Sequence, residues 1–183
     1  DVIGKEHPET LRTLHNIAII LGATGKHNEA FELNKQIYDI RCNILGKMHP
    51  SSLSSLNNLA TTYLHIKNNE KAAELLLSCY NSRVQVLGET HHDTLISLCN
   101  LSRTYLYTEK EKALELAQRA YKTGLKEMGE AHPHMLTFLT AIAAAYGKLG
   151  EQKKARSLMK TVYNLRCKVL GKKHPDTIKA HEI

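Results

Sequence analysis

The chain has 183 residues, 42% of them apolar, enough for one or two globular domains. Lysine and arginine outnumber aspartate and glutamate by 25 to 18, and the net charge of +7 favours acidic partners without bearing on fold. The longest apolar runs, such as Ile17 to Leu21, fall far short of the roughly 20 residues of a membrane span, and four scattered cysteines (Cys42, Cys79, Cys99, Cys167) without C-x-x-C spacing suggest free thiols in a reducing compartment, the cytoplasm.

Five times, at separations of 42, 42, 41 and 42 residues, a glycine is followed three residues later by histidine: Gly4, Gly46, Gly88, Gly129 and Gly171. A fixed period of this size marks stacked supersecondary units rather than one central core. The four prolines, Pro8, Pro50, Pro133 and Pro175, all fall directly after that histidine. Gly tolerates the left-handed backbone that ends a helix, and Pro suits the first position of the next, so the block is punctuation between helices. The chain opens with Asp1 inside such a block, which reads as an excerpt from a longer protein.

In chain order the spacing predicts first helices from Leu11 to about Ala23, Leu53 to about His65, Leu95 to about Tyr107 and Leu136 to about Lys148. Their buried faces are read as Leu14, Ile17, Ala18, Leu21; Leu56, Leu59, Ala60, Tyr63; Leu98, Leu101, Ser102, Tyr105; and Leu139, Ile142, Ala143, Tyr146. After a polar turn, shorter by one residue in the third unit, second helices run from about Asn28, Glu70, Lys110 and Gln152 to the next Gly. Three columns recur in them: Ala30, Ala72, Ala113, Ala155; Leu33, Leu75, Leu116, Leu158; and Tyr38, Tyr80, Tyr121, Tyr163. Alanine at one column lets two helices approach closely. The predicted fold is an all-α solenoid of antiparallel helix hairpins forming a single domain over 1–183, with repeats at 8–49, 50–91, 92–132 and 133–174 and the start of a fifth at 175–183.

The run Leu-Asn-Asn-Leu-Ala-x-x-Tyr at Leu56 to Tyr63, followed by Ala72 and closed by Leu87-Gly88-x-x-His, resembles the tetratricopeptide repeat in its long, kinesin-light-chain-like form. The common repeat is about 34 residues, and the longer period here matches the long subtype. The resemblance covers essentially the whole chain. It implies a right-handed superhelix whose first helices line a concave peptide groove, and it assigns the first Asn of the motif to the ligand backbone. Only Asn57 matches; His15, Cys99 and Thr140 stand there in the other units.

The expected groove residues are His15, Asn16, Asn57, Asn58, Thr61, His65, Asn100, Arg103, Thr140 and Lys148. Asn16, Asn58 and Asn100 recur in mid-helix, where Asn is a mediocre former, and an amide can pair with both N–H and C=O of an extended peptide. Arg12, Arg103 and Lys148 would make the groove weakly basic, suited to an acidic segment. A non-catalytic protein-interaction module is the expected function. The alternative is a regulatory array of a larger enzyme that engages its own chain; nucleic-acid binding is disfavoured because no aromatic ladder recurs on the groove side.

No cofactor or metal is expected. His7, His49, His91, His132 and His174 look like a zinc series, but equivalent positions of successive repeats lie two helix layers apart, and His132 with His134 lacks further ligands in the sequence. A loop-fixing or helix-capping role is expected instead. Gly22-Ala23-Thr24-Gly25-Lys26 has too short a glycine spacing for a phosphate loop. Cys99, four residues before Arg103, is expected to have a somewhat lowered thiol pKa, yet no positioned base accompanies it. Ile178 and Ile183 in the last, unpartnered segment suggest end-to-end self-association.

Overall fold

The computed structural model describes Gly4 and residues 6–169, which contain eight helices and no strand. In order they are α1 (Pro8–Ala23), α2 (His27–Leu45), α3 (Pro50–His65), α4 (Asn69–Leu87), α5 (His92–Thr104), α6 (Lys110–Met128), α7 (Pro133–Lys148) and α8 (Gln152–Val169). The fifth-repeat segment, with Gly171, His174, Pro175, Ile178 and Ile183, lies outside the described residues.

The helices begin and end where local chemistry requires. The Nδ1 atoms of His7, His49, His91 and His132 accept the backbone N–H of Glu9, Ser51, Asp93 and His134 at 3.2, 3.1, 3.1 and 3.3 Å, so each first helix is N-capped by a histidine. The second helices of the first three hairpins end at Gly46, Gly88 and Gly129, with φ of 86°, 90° and 77° and ψ of 157°, 161° and 167°. This is not the left-handed helical region but the mirror-extended one, which essentially only glycine enters.

The chain divides after Gly88 into two compact units. In the first, α2 packs on α1 and α3, and α3 on α4. Its core includes Leu53, Leu56 and Cys79, with Tyr38 and Leu75 against them. Burying one such leucine contributes about 1.5–3 kcal/mol. Ala30 and Ala72 are fully buried, as close helix approach demands. Ile17, expected on the buried face of α1, is instead exposed together with Ile19 and Ile20, because among the described residues no hairpin covers that side of α1.

In the second unit α5, α6, α7 and α8 pack in sequence, and α5 also touches α7. Here Ala143 and Met159 are buried with Leu158 and Tyr163 beside them. The α5 helix stops at Thr104 and not near Tyr107: Tyr105 O accepts both Thr108 N–H and Glu109 N–H, and the resulting tight turn absorbs the missing residue.

One pair of columns is filled differently in the two units. In the first, Arg41 Nη1 donates to Ser51 O at 3.2 Å and Ser55 Oγ at 2.8 Å. At the corresponding positions of the second unit stand Gly124 and Phe138, and a Cβ on Gly124 would lie 2.9 Å from Phe138 Cε2. Long-with-small has become none-with-large, which keeps the interior filled.

Candidate functional site

Each first helix carries a stripe at i, i+4, i+7, i+11 spacing, which faces outward on α1 and α7 and is interrupted by buried Asn57 on α3 and buried Cys99 on α5. On α7 it runs Pro133, Thr137, Thr140, Ala144, Lys148, all exposed or half-buried while Met135, Phe138, Leu139, Ala141, Ile142, Ala143 and Ala145 are buried. On α1 the same register holds Arg12, His15 and Ile19, on α3 Ser54, Asn57 and Thr61, and on α5 Ile96, Cys99 and Arg103.

In the first unit His15 is half-buried, and its Nδ1 accepts Asn58 Nδ2–H at 3.4 Å, linking α1 to α3. Burial lowers the His15 pKa, and the nearby Arg41 charge lowers it further. Asn16 and Asn58 sit one residue past the stripe, about 100° round the helix. That turn explains why Asn58 faces the neighbouring first helix, while Asn16, the corresponding residue of α1, is exposed. Asn57 is buried and already has an interaction partner within the chain. Thr61 Oγ1 donates to Asn58 O at 2.7 Å. His65 stacks on His27, ring centroids 5.1 Å apart and planes within 5°, at the edge of an open hollow of about 370 Å³ that Gly25 and Lys67 also line.

In the second unit Asn100 is buried and likewise has a partner within the chain. Arg103 is exposed beside Cys99. The thiol of Cys99 is not lowered: burial pushes its pKa up to about 12, and the opposing pull of Arg103 is the smaller effect. Cys99 is therefore a packing residue, its Sγ 3.9 Å from Thr137 O across the α5–α7 contact. Thr140 Oγ1 donates to Leu136 O at 2.7 Å. Lys148 Nζ lies 4.2 Å above the ring of Tyr107, which is 67% exposed. Tyr107 was not among the expected groove residues; its place in the shortened turn, in reach of a stripe lysine, is legible only from the three-dimensional register.

Between α7 and α8 lies a pocket of about 230 Å³ lined by Thr140, Ala143, Ala144, Gly147, Gln152, Ala155, Arg156 and Met159. In the first unit the corresponding positions receive α3: Asn58 on His15, Tyr63 edge-on to Phe31 at 4.9 Å, and His65 on His27. The pocket thus has the form of a helix-docking groove.

A second cluster brings His91 and His92 beside His132 and His134, the pair that in the sequence lacks further ligands. At the N-termini of α5 and α7, His91 and His92 lie 4.2 Å apart by ring centroid, His92 and His134 5.8 Å, and His132 and His134 5.0 Å. His92 Nε2 is 3.7 Å from Asp93 Oδ1. The pKa of His134 is lowered, first by burial and then by His132 and His92, against an opposing pull from Asp93. No described helix is long and apolar enough to cross a membrane.

The profile of the tetratricopeptide repeat matches residues 1–43 and 51–126, and a second profile of the same description matches 135–176. No curated protein matches the chain. Among solved structures, a Podosopora anserina protein described as a kinesin light chain with nearly identical TPR-like repeats is 29% identical, with 92% of this chain and 80% of that one covered, at TM-scores of 0.65 for a form carrying one glutamine-to-methionine substitution and 0.62 for the form without it. BtubC (BKLC) from P. vanneervenii, at 18% identity, shares the fold at a TM-score of 0.67 over 91% of this chain and 66% of its own. The fold class is accordingly the all-α helical solenoid, and the chain belongs to the tetratricopeptide repeat family in its kinesin-light-chain-like form.

Proposed function

We propose that this chain is a non-catalytic module that binds an acidic peptide segment on the outward stripe of its first helices. Members of this repeat family generally mediate protein–protein interaction, which supplies the coarse function. The observation that carries the finer reading is in the second unit: Arg103 and Lys148 are exposed on helices that are largely buried, and Lys148 is held over an exposed Tyr107. A fixed cation beside an aromatic face suits a carboxylate next to an apolar group. In the first unit Arg12, His15, Thr61 and His65 offer the corresponding polar surface. Preorganised helices hold these groups in register, so a disordered segment binds without much ordering cost on the receptor side. Asn57 and Asn100 act from within the wall, and Asn58 fixes its neighbour.

The test is fluorescence anisotropy with a labelled acidic peptide panel against wild type, Arg103→Glu and Lys148→Glu. Reversing either charge is expected to weaken binding about tenfold at low salt, the difference shrinking as salt screens it. Affinity unchanged in both variants removes the groove from this surface.

A second reading rests on the α7–α8 pocket. Its apolar lining and the exposed Ile17 and Ile20 of α1 are counterparts of the surfaces that α1, α2 and α3 join inside the first unit. A second copy's α1 would dock there end to end, without catalytic consequence. Sedimentation that shows the wild type self-associating and Ile20→Lys monomeric supports it; a wild type monomeric at high concentration sinks it. In this proposal the module works in the cytoplasm.

A further inference from the structure

Among the described residues, the histidine cluster of the second unit has no counterpart in the first. Where other first helices begin His-Pro, α5 begins His91-His92-Asp93, and α7 carries a second imidazole at His134. At the start of α5, His91, His92 and Asp93 hold their ligand-type atoms within 4.8 Å of one another, and the fold sets the start of α7 beside them, with His134 stacked on His92 at 5.8 Å and planes 11° apart. We propose that this cluster binds one divalent transition-metal ion of the zinc type, with His92, Asp93 and His134 as protein ligands and water completing the shell.

Capping decides which rings can serve. The Nδ1 atoms of His91 and His132 accept backbone N–H groups at 3.1 and 3.3 Å, so in the neutral rings the proton sits on Nε2 and no lone pair is left for an ion. His92 and His134 have no capping duty and keep one unprotonated nitrogen each. Asp93 supplies the negative charge that offsets the positive ends of the two helices, which otherwise repel a cation. Two imidazoles and a carboxylate favour zinc, nickel or copper over calcium or magnesium, which require oxygen ligands. The stacked rings do not yet converge. The His92 side chain is 46% exposed and free to change rotamer; binding requires both His92 and His134 to rotate out of the stack until an in-plane nitrogen of each points, with Asp93, at one ion at about 2.0–2.2 Å.

The test is isothermal titration with Zn²⁺ alone on the full chain, with circular dichroism to verify each variant's fold. Wild type is expected to bind one equivalent saturably, while His92→Ala and His134→Ala each lose about tenfold or more in affinity. His91→Asn and His132→Asn, which keep a good capping side chain, are expected to bind as wild type does. No saturable binding by the wild type overturns the site. So does affinity that survives His92→Ala and His134→Ala together, and loss of binding in His91→Asn overturns the ligand assignment. None of these outcomes depends on peptide binding.

Discussion

Replacing Gly124 and Gly147 by alanine, one at a time, probes whether the second unit is as tightly seated as the Gly124–Phe138 exchange implies. Both glycines lie inside helices, α6 and α7, so each substitution gains about 1 kcal/mol of helix propensity. Their surroundings differ. A Cβ on Gly147 would meet only Ala155 Cβ at 4.0 Å, ordinary contact, so the gain survives and Gly147→Ala stabilises by about 0.5–1 kcal/mol. A Cβ on Gly124 would sit 2.9 Å from Phe138 Cε2, 3.0 Å from Met128 Cε and 3.2 Å from Met135 Sδ. Met128 can swing, but Phe138 and Met135 are buried and their movement pushes on packed neighbours. Overpacking of that kind costs about 1–3 kcal/mol, which exceeds the propensity gain and leaves Gly124→Ala destabilising by about 1 kcal/mol. Thermal denaturation should therefore shift in opposite directions, by about 2–4 °C per kcal/mol for a chain of this size. Combining Gly124→Ala with Phe138→Leu should cost less than the sum of the single changes, since the shorter side chain relieves the clash. If Gly124→Ala stabilises as much as Gly147→Ala, the ring is not held where the column exchange requires.

His49→Ala should cost the first unit about 1 kcal/mol in urea denaturation, and His49→Asn should restore most of it, because only the capping acceptor matters. The lowered pKa of His15 makes its neutral form the one the fold favours. Its contribution is fully present above the unfolded value of 6.5 and is lost as pH falls below that toward the folded value, so His15→Gln should flatten the stability profile between about pH 7 and pH 5. An unchanged acid slope in that variant refutes the assignment. Iodoacetamide on the native chain should modify half-buried Cys42 well before Cys79 or Cys99, whose thiols are buried, and equal rates under native conditions would contradict the packing described.

The hairpin architecture was legible because its signals are local and repeated: the Gly-x-x-His block carries the capping chemistry of each junction, and the alanine column carries close helix approach. The stripe was harder to read. His15 and Asn16 are adjacent in sequence, and an error of one position is about 100° on a helix, enough to confuse a residue facing outward with one facing the next first helix. Asn58, bonded to His15, stands one position past the stripe residue Asn57 and about 60° round α3 from Thr61, which is on the stripe. Burial of Asn57 and Asn100 depends on packing around α3 and α5, which no single helix pattern reports.

In the sequence the repeat histidines are set aside as ligands for a geometric reason, and its limit shows how such a site can arise in a repeat protein. Equivalent residues of successive hairpins are separated by the repeat translation and cannot share an ion, an argument that holds for His91 and His132. It does not cover unequal registers. His92 stands at the position that proline takes in α7, whereas His134 stands one residue further, at the position of Asp93. A diagonal pair of this kind lets side chains lean along the helix-start edge and close the gap between layers, to 5.8 Å here. Because the capping histidine is supplied by the repeat itself, only two extra imidazoles and one carboxylate had to be added. A substitution of His92 by the proline found at the other helix starts should therefore remove the cluster's ion-binding capacity while keeping the His91 cap and the α5 helix.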